Sequence, residues 1–84
     1  MIKAYAPRVN EDYCLAICGN QKILGDWNPD KALLMSDINF PEWQTELDAG
    51  KLSFPIEYKF ILYNKKEKHA EAWENNPNRY MAKP

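Results

Sequence analysis

Groups suited to catalysis or metal binding are scarce in this sequence. Its 84 residues include one histidine, His69, and two cysteines, whereas a zinc site built from these side chains needs more ligands. The sequence has no G-x-S-x-G nucleophile motif, no H-E-x-x-H motif and no phosphate-binding loop. Carboxylates are plentiful, but their spacing pairs no two of them as an acid and a base. We therefore expect a chain that is not itself an enzyme and that holds no metal and no cofactor.

Strong charge and long apolar segments are missing as well. The formal net charge is -1 at pH 7, which argues against a nucleic acid or an anionic membrane as the main partner. No apolar run approaches the roughly 20 residues of a membrane span. The opening stretch MIKAYAPRV contains no apolar region typical of a secretory signal. The sequence thus predicts neither nucleic-acid binding nor membrane insertion.

The two cysteines are predicted to be free. Cys14 and Cys18 lie four residues apart in YCLAICG, which reads as a strand. Four residues of strand span about 13 Å, and a disulfide requires Cα atoms within about 7 Å of each other. We expect two small buried thiols, which suit a reducing compartment. On this ground, and because no signal is seen, we expect a cytoplasmic location.

Strand signals dominate the sequence and predict an all-β, antiparallel domain. Helix signals are weak, because six prolines and scattered aromatic residues interrupt every long window. Strand signals recur at intervals of about 8–12 residues, as in a sandwich or barrel. The length indicates one domain, covering residues 1–84. We predict seven strands, near residues 2–9, 12–18, 31–36, 42–48, 56–63, 69–74 and 79–83.

Side-chain alternation assigns faces to two of these strands. In IEYKFILY it puts Lys59 on the same face as Glu57. In HAEAW it puts Trp73 on the same face as His69. We expect both of these faces to be polar and directed towards solvent, with His69 exposed.

The other two tryptophans stand in different settings. Trp27 lies in ILGDWNPDKALLM among loop-forming residues, where a large aromatic side chain either closes the edge of the core or forms a binding surface. Trp43 begins a predicted strand, and its alternation with Thr45 and Leu47 indicates an inward or edge position. We expect Trp43 to pack at the edge of a sheet.

Tryptophans near polar loops have a chemistry suited to sugars. A glucose ring has apolar C–H faces that an indole can cover, while amides and charged groups bind the hydroxyls at its rim. Trp27, Trp73, Lys59 and Asn78 supply these groups. From the residues alone, the alternative that all three tryptophans are structural stays open.

Three segments in order resemble a known family. GNQKILGDWNPDKALLM, EYKFI and WENNPNRY resemble the blocks L-G-x-W, E-Y-K-F and W-E-x-x-x-N-R of the starch-binding domains that form the family 20 carbohydrate-binding modules. Together they cover most of the chain from Gly19 to Tyr80. The resemblance implies an antiparallel, immunoglobulin-like β-sandwich. It also implies binding of α-1,4-glucans: starch, glycogen, maltooligosaccharides and cyclodextrin.

The resemblance also implies a set of site residues. The family stacks glucose rings on two tryptophans, which match Trp27 and Trp73 here. Its hydrogen-bonding lysine and asparagine match Lys59 and Asn78. Glu74 occupies the position after the second tryptophan and is included as a candidate carbohydrate-binding residue.

The family's second glucan site has weaker support in this chain. That site uses tyrosines and a further tryptophan, whereas Ile38, Asn39 and Phe40 precede Trp43 here. Glu11 and its neighbour Asp12 stand where another tyrosine of the second site would be expected. We do not expect a complete second site.

The resemblance finally implies a larger context. Such modules are usually attached to amylolytic enzymes, so residues 1–84 are expected to be a single module cut from one. The segments NPDKALLM and FPEWQTELD most resemble those of modules that precede 4-α-glucanotransferases. The expected partners are thus an α-glucan and the catalytic domain of the parent chain. The alternative is a protein-interaction or regulatory β-sandwich whose tryptophans contact a partner domain.

Overall fold

The fold consists of β-strands joined by loops and short 3₁₀ turns. The computed structural model describes residues 1–47, 49–75 and 77–82. Within these residues, no helix is long and apolar enough to cross a membrane. The strands are β1 (Ile2–Tyr5), β2 (Tyr13–Gly19), β3 (Leu33–Leu34), β4 (Ser36–Asn39), β5 (Glu42–Thr45), β6 (Ile56–Asn64), β7 (His69–Trp73) and β8 (Arg79–Met81). The 3₁₀ turns are Lys22–Leu24, Pro29–Lys31 and Ala49–Lys51.

The strands form two antiparallel sheets. A three-stranded sheet has the order β1-β5-β4, and a five-stranded sheet has the order β3-β2-β6-β7. Strand β8 also pairs with β6, beside its first residues, while β7 pairs with its last ones. The predicted all-β, antiparallel sandwich is therefore confirmed.

The described residues form eight strands where seven were predicted, because the chain changes sheets at Met35. The predicted strand 31–36 divides into β3, which pairs with β2, and the start of β4, which pairs with β5. Met35 between them is buried, and its backbone N–H donates to the Leu15 carbonyl at 2.9 Å. A residue that contributes to both sheets cannot continue one straight strand.

Other predicted strand ends also differ. Strand β1 ends at Tyr5 rather than at residue 9, because Pro7 cannot donate to a ladder. The Ala6 N–H still bonds the Pro41 carbonyl at 2.9 Å. Strands β5 and β8 end at Thr45 and Met81. The predicted ends at residues 48 and 83 lie outside the described residues.

The core lies between the sheets and includes Trp43. Trp43 is only 2% exposed, and its indole N–H donates to the Ala6 carbonyl at 3.1 Å. The inward orientation was predicted, but the edge position was wrong, since β5 is the central strand of its sheet. The buried residues of this core are Ile2, Cys14, Ile17, Leu24, Met35, Trp43 and Ile56.

The outer face of the five-stranded sheet, which was predicted to be polar and directed towards solvent, carries a buried apolar layer instead. Ala16, Cys18 and Ile61 form this outer cluster, and Trp27 packs against it. Ala16 lies opposite Ile61 in the β2–β6 ladder, so both side chains share this face. Cys18 and Cys14 are free thiols and both are buried, as predicted. The loop that joins β2 to β3 therefore covers the outside of the sheet.

Candidate functional site

The loop that carries Trp27 holds an uncommon backbone conformation. Gly25, Asp26 and Trp27 have φ angles of 86°, 50° and 65°, and a large residue such as Trp rarely adopts a positive φ. A Cβ atom added at Gly25 would lie 2.7 Å from the Asn28 carbonyl oxygen, so only glycine fits there. The Trp27 N–H donates to the Gly19 carbonyl at 2.9 Å. This bond ties the strained residue to the end of β2.

The next residues attach the loop to β7. The Asn28 side chain accepts from the Asp30 N–H at 3.1 Å and starts the turn Pro29–Lys31. The Asp30 carboxylate accepts from the Ala70 N–H of β7 at 3.3 Å. Because β2 and β7 lie on opposite sides of β6, the loop spans the outer face of the sheet between them. It thereby brings Trp27 next to β7.

Trp27 and Trp73 form a tilted aromatic pair. Trp73 lies opposite Ile61 in the β6–β7 ladder, so its side chain is on the outer face. The predicted shared face with His69 was wrong, because a register shift in this ladder puts His69 opposite Asn64. The ring centroids are 6.4 Å apart and the ring planes are inclined by 39°. Trp73 is 40% exposed, whereas Trp27 is half-buried against the outer cluster. The pair presents aromatic surface to solvent while one ring also covers the protein.

Lys59 lies on the same face, next to the tryptophan pair. It is two residues before Ile61 on β6 and opposite Cys18 on β2, so it occupies the neighbouring row of outward side chains. No carboxylate of the described residues lies within ion-pair distance of its ammonium group. A cation with no local partner suits hydrogen bonding to a neutral ligand.

Asn78 belongs to a hydrogen-bonded group beside Lys59. Its side-chain amide donates to the Glu57 carboxylate, and the Tyr80 hydroxyl donates to the same oxygen at 3.3 Å. Glu57 shares the outer face with Lys59, two positions along β6. Asn78 was predicted as a site residue, whereas Glu57 was assigned only to the face of Lys59 and Tyr80 was not predicted. The position of Tyr80 depends on its pairing with β6, which alternation within one segment does not indicate.

Glu74 has a different environment from the other candidates. Its carboxylate accepts from the Phe60 N–H at 3.0 Å and from the Arg79 guanidinium through two nitrogens, at 3.0 and 3.1 Å. The side chain is only 14% exposed. Arg79 in turn lies over the Phe60 ring at 5.0 Å, and its pKa is raised, chiefly by the hydrogen bond to Glu74. These bonds connect the end of β7 with the start of β8.

One exposed cluster contains potential metal ligands. Ligand atoms of Glu67, His69 and Glu71 lie within 4.8 Å of one another. The two ring nitrogens of His69 face the Glu67 carboxylate at 2.8 Å and the Ala70 carbonyl at 3.0 Å. Because both partners accept hydrogen bonds, they favour the charged imidazolium and raise the pKa of His69, the Ala70 carbonyl most. These contacts account for the cluster without a metal.

The predicted candidates thus separate into two groups. Trp27, Trp73, Lys59 and Asn78 lie on one face of the five-stranded sheet. Glu74 is directed at the backbone of Phe60 and at Arg79. The first group combines exposed aromatic surface with hydrogen-bonding groups and lacks any arrangement for nucleophilic or acid–base chemistry within the described residues.

One family profile and two solved structures are similar to this chain. A family profile described as a starch binding domain matches residues 2–84. The family 20 carbohydrate-binding module of the maltotetraose-forming amylase from Pseudomonas saccharophila STB07 superposes with a TM-score of 0.78 at 20% identity, covering 98% of this chain and 86% of that one. The glycoside hydrolase family 15 glucoamylase from Hypocrea jecorina matches with a TM-score of 0.72 at 26% identity, over 89% of this chain but 13% of that one. A search of curated protein sequences finds no match.

Proposed function

Because this chain belongs to the family of starch-binding domains, and is thus a non-catalytic glucan-binding module, we propose that it stacks glucose rings on Trp27 and Trp73. The observation that carries this proposal is the indole pair, 6.4 Å apart on the outer face of the sheet. A buried structural pair would have no reason to leave Trp73 40% exposed. The proposed ligand is an α-1,4-glucan such as starch, glycogen or a maltooligosaccharide, with cyclodextrin as a soluble analogue.

The inclination of the rings favours a curved glucan over a flat one. Two rings inclined by 39° can each lie parallel to one of two successive sugars only if those sugars are also inclined. α-1,4-Linked glucose chains curve in this way, while β-1,4-linked chains form flat ribbons. Covering about 50–100 Å² of sugar face is worth about 1–3 kcal/mol, so we expect micromolar to millimolar affinity.

Lys59 and Asn78 are proposed to bind sugar hydroxyls at the edge of the pair. Lys59 offers donors next to the rings and has no ion-pair partner among the described residues. The Asn78 amide is oriented by its bond to Glu57, which keeps it from turning freely. Fixed polar groups at the rim of an aromatic surface provide orientation and specificity.

Glu74 is proposed to position the site rather than to bind sugar. Its carboxylate accepts from Phe60 and Arg79 and is mostly buried. These bonds hold the two ends of the turn that follows Trp73 and contains Asn78. Loss of Glu74 would therefore affect binding through the placement of these two residues.

The module is proposed to direct an attached enzyme to its glucan. Two solved structures similar to this chain are a module of an amylase and a whole glucoamylase, of which the matched part is a small fraction. The resemblance of NPDKALLM and FPEWQTELD favours a 4-α-glucanotransferase as that enzyme. The two buried free thiols support a cytoplasmic location for it.

A protein-interaction role is the second candidate. The three-stranded sheet exposes Tyr5, and the β4–β5 hairpin exposes Ile38 and Phe40, and such side chains suit a partner surface. In that case the sheet opposite the tryptophan pair would hold the functional surface, and the tryptophan pair would not bind glucan.

Titration with β-cyclodextrin separates the two roles. We expect saturable quenching or enhancement of tryptophan fluorescence in the chain and its loss in Trp73→Ala. Tyr5→Ala, which removes an exposed aromatic ring from the other sheet, is the matched control and should bind like the unsubstituted chain. Absence of any saturable signal, confirmed by calorimetry, would refute glucan binding at the pair. Equal binding of cellohexaose would refute the argument from ring inclination.

A further inference from the structure

Tyr80 is an exposed aromatic residue on the face that carries the tryptophan pair. It is 69% exposed, so its ring contributes little to the core. It lies opposite Glu57 in the β6–β8 ladder, and opposite residues of an antiparallel pair share a face. Glu57 is in turn on the face of Lys59 and Ile61. Tyr80 therefore points to the same side of the sheet as Trp73.

The register fixes where Tyr80 lies relative to the tryptophans. Trp73 is opposite Ile61 and Tyr80 is opposite Glu57. Since these β6 residues are four positions apart, the two aromatic residues are separated by about 13 Å along the strand direction. Lys59 lies between them on the same face. The aromatic surface thus resumes beyond the polar groups of the site.

A weak hydrogen bond links Tyr80 to the proposed site. Its hydroxyl donates to the Glu57 oxygen that also accepts from Asn78. The tyrosine is thereby connected to a residue of the proposed site rather than extending freely into solvent. The contact is long for an O–H···O hydrogen bond, so the position of the ring is set mainly by the β6–β8 pairing.

We propose that Tyr80 is a further stacking ring, which extends the glucan site along β6 for longer chains. The inference rests on the proposed function of the tryptophan pair. A short oligosaccharide covers Trp27 and Trp73 alone, whereas a longer chain passes Lys59 and reaches the Tyr80 ring. Tyr80 thus makes the site prefer long α-1,4-glucans over short ones.

The test is a series of maltooligosaccharides from maltotriose to maltoheptaose, titrated by calorimetry into the unsubstituted chain, Tyr80→Ala and Tyr80→Phe. Covering roughly 30–60 Å² of sugar face predicts that Tyr80→Ala weakens maltoheptaose binding about 3- to 10-fold. Maltotriose binding should stay unchanged. Tyr80→Phe keeps the ring and should follow the unsubstituted chain within about 2-fold, since an exposed hydrogen bond contributes little. Tyr5→Ala is the control for removing an exposed tyrosine from the other sheet.

A second measurement needs no substitution. Maltoheptaose should shift the amide resonances of Tyr80 and Met81 in the unsubstituted chain, whereas saturating maltotriose should shift those around Trp27, Trp73, Lys59 and Asn78 and leave Tyr80 and Met81 unchanged. This readout holds even if Tyr80→Ala folds poorly.

The outcomes distinguish the inference from the function on which it rests. A chain that binds maltoheptaose and maltotriose but loses neither in Tyr80→Ala overturns the Tyr80 subsite alone. The subsite is also overturned if Tyr80→Phe loses as much as Tyr80→Ala, since the hydroxyl and not the ring would then matter. A chain that binds no oligosaccharide overturns the proposed function itself.

Discussion

Trp27→Ala and Trp73→Ala should weaken glucan binding to a similar degree but destabilise the fold to different degrees. Both rings are proposed to cover one sugar face each. Loss of about 50–100 Å² of stacking is worth about 1–3 kcal/mol, which corresponds to a loss of affinity of about 5- to 150-fold. The two substitutions should therefore look alike in a titration with β-cyclodextrin.

Their effects on stability should differ because only Trp27 covers the outer cluster. Removing a fully buried Trp costs about 3–5 kcal/mol. Trp27 is half-buried against buried Ala16, Cys18 and Ile61. We therefore expect Trp27→Ala to lower the free energy of unfolding by about 2–3 kcal/mol. Trp73 is 40% exposed at the end of a strand near the edge of the sheet. Trp73→Ala should therefore lower the free energy of unfolding by about 1 kcal/mol or less. The expected difference in stability arises because only the Trp27 ring packs against the outer cluster.

Thermal unfolding followed by circular dichroism measures this difference. For a domain of this size each kcal/mol shifts Tm by about 4–8 °C. Trp27→Ala should therefore lower Tm by roughly 8–24 °C and Trp73→Ala by roughly 8 °C or less. Binding should be measured well below both melting temperatures.

Two results would refute this reasoning. Equal loss of Tm in the two variants would mean that the covering role of Trp27 is wrong. Unchanged affinity for β-cyclodextrin in folded Trp73→Ala would mean that the pair is not the glucan surface. Trp43→Ala serves as the reference for a core indole and should destabilise more than either.

Three further predictions concern Glu74, the two cysteines and His69. Glu74→Ala should lower both Tm and glucan affinity. Glu74→Gln should retain most of the Tm and of the affinity, because its amide oxygen can still accept from the Phe60 N–H. Full affinity in Glu74→Ala would exclude a positioning role. Burial raises the pKa of Cys14 and of Cys18, so both thiols should react slowly with a thiol reagent in the folded chain, and two should react after denaturation; fast reaction of either in the native state would contradict their burial. Because the pKa of His69 is raised in the folded state, protonation of His69 stabilises the fold. This contribution to stability is complete below pH about 6.5 and is lost as the pH rises through the pKa of the folded state. Tm should thus fall slightly between pH 6 and pH 8, and this fall should be smaller in His69→Gln; an identical fall in that variant would rule His69 out as the cause.

Local alternation predicted the faces of β6 but only part of β7. The pattern of IEYKFILY puts Lys59 and Ile61 on one face, and both lie on the outer face. The pattern of HAEAW put His69 and Trp73 on one face, whereas the register shift between Leu62 and Tyr63 leaves only Trp73 on the outer face. The absence of a disulfide between Cys14 and Cys18 needed only the same geometry, and both cysteines are free.

Features set by long-range pairing could not be predicted in this way. The change of sheet at Met35 depends on which strands lie on either side. The central position of Trp43 depends on β1 and β4 flanking β5. The orientation of Glu74 depends on the Phe60 N–H, fourteen residues away in sequence. Periodicity within one segment contains no information about such partners.

The backbone of the Trp27 loop adds an argument that the ring itself matters. A positive φ at a large residue costs about 1–3 kcal/mol, and glycine or asparagine at position 27 would adopt φ 65° at lower cost. Packing on Cys18 and Ile61 offsets this strain, but aliphatic side chains could cover the same cluster. An indole adds a flat surface that faces Trp73 at a fixed inclination. The Trp27 N–H bond to Gly19 and the Asp30 bond to β7 hold the loop in place without a ligand. If sugars stack on the pair as proposed, binding does not have to order the loop, and the weak stacking energy of each sugar is retained as affinity.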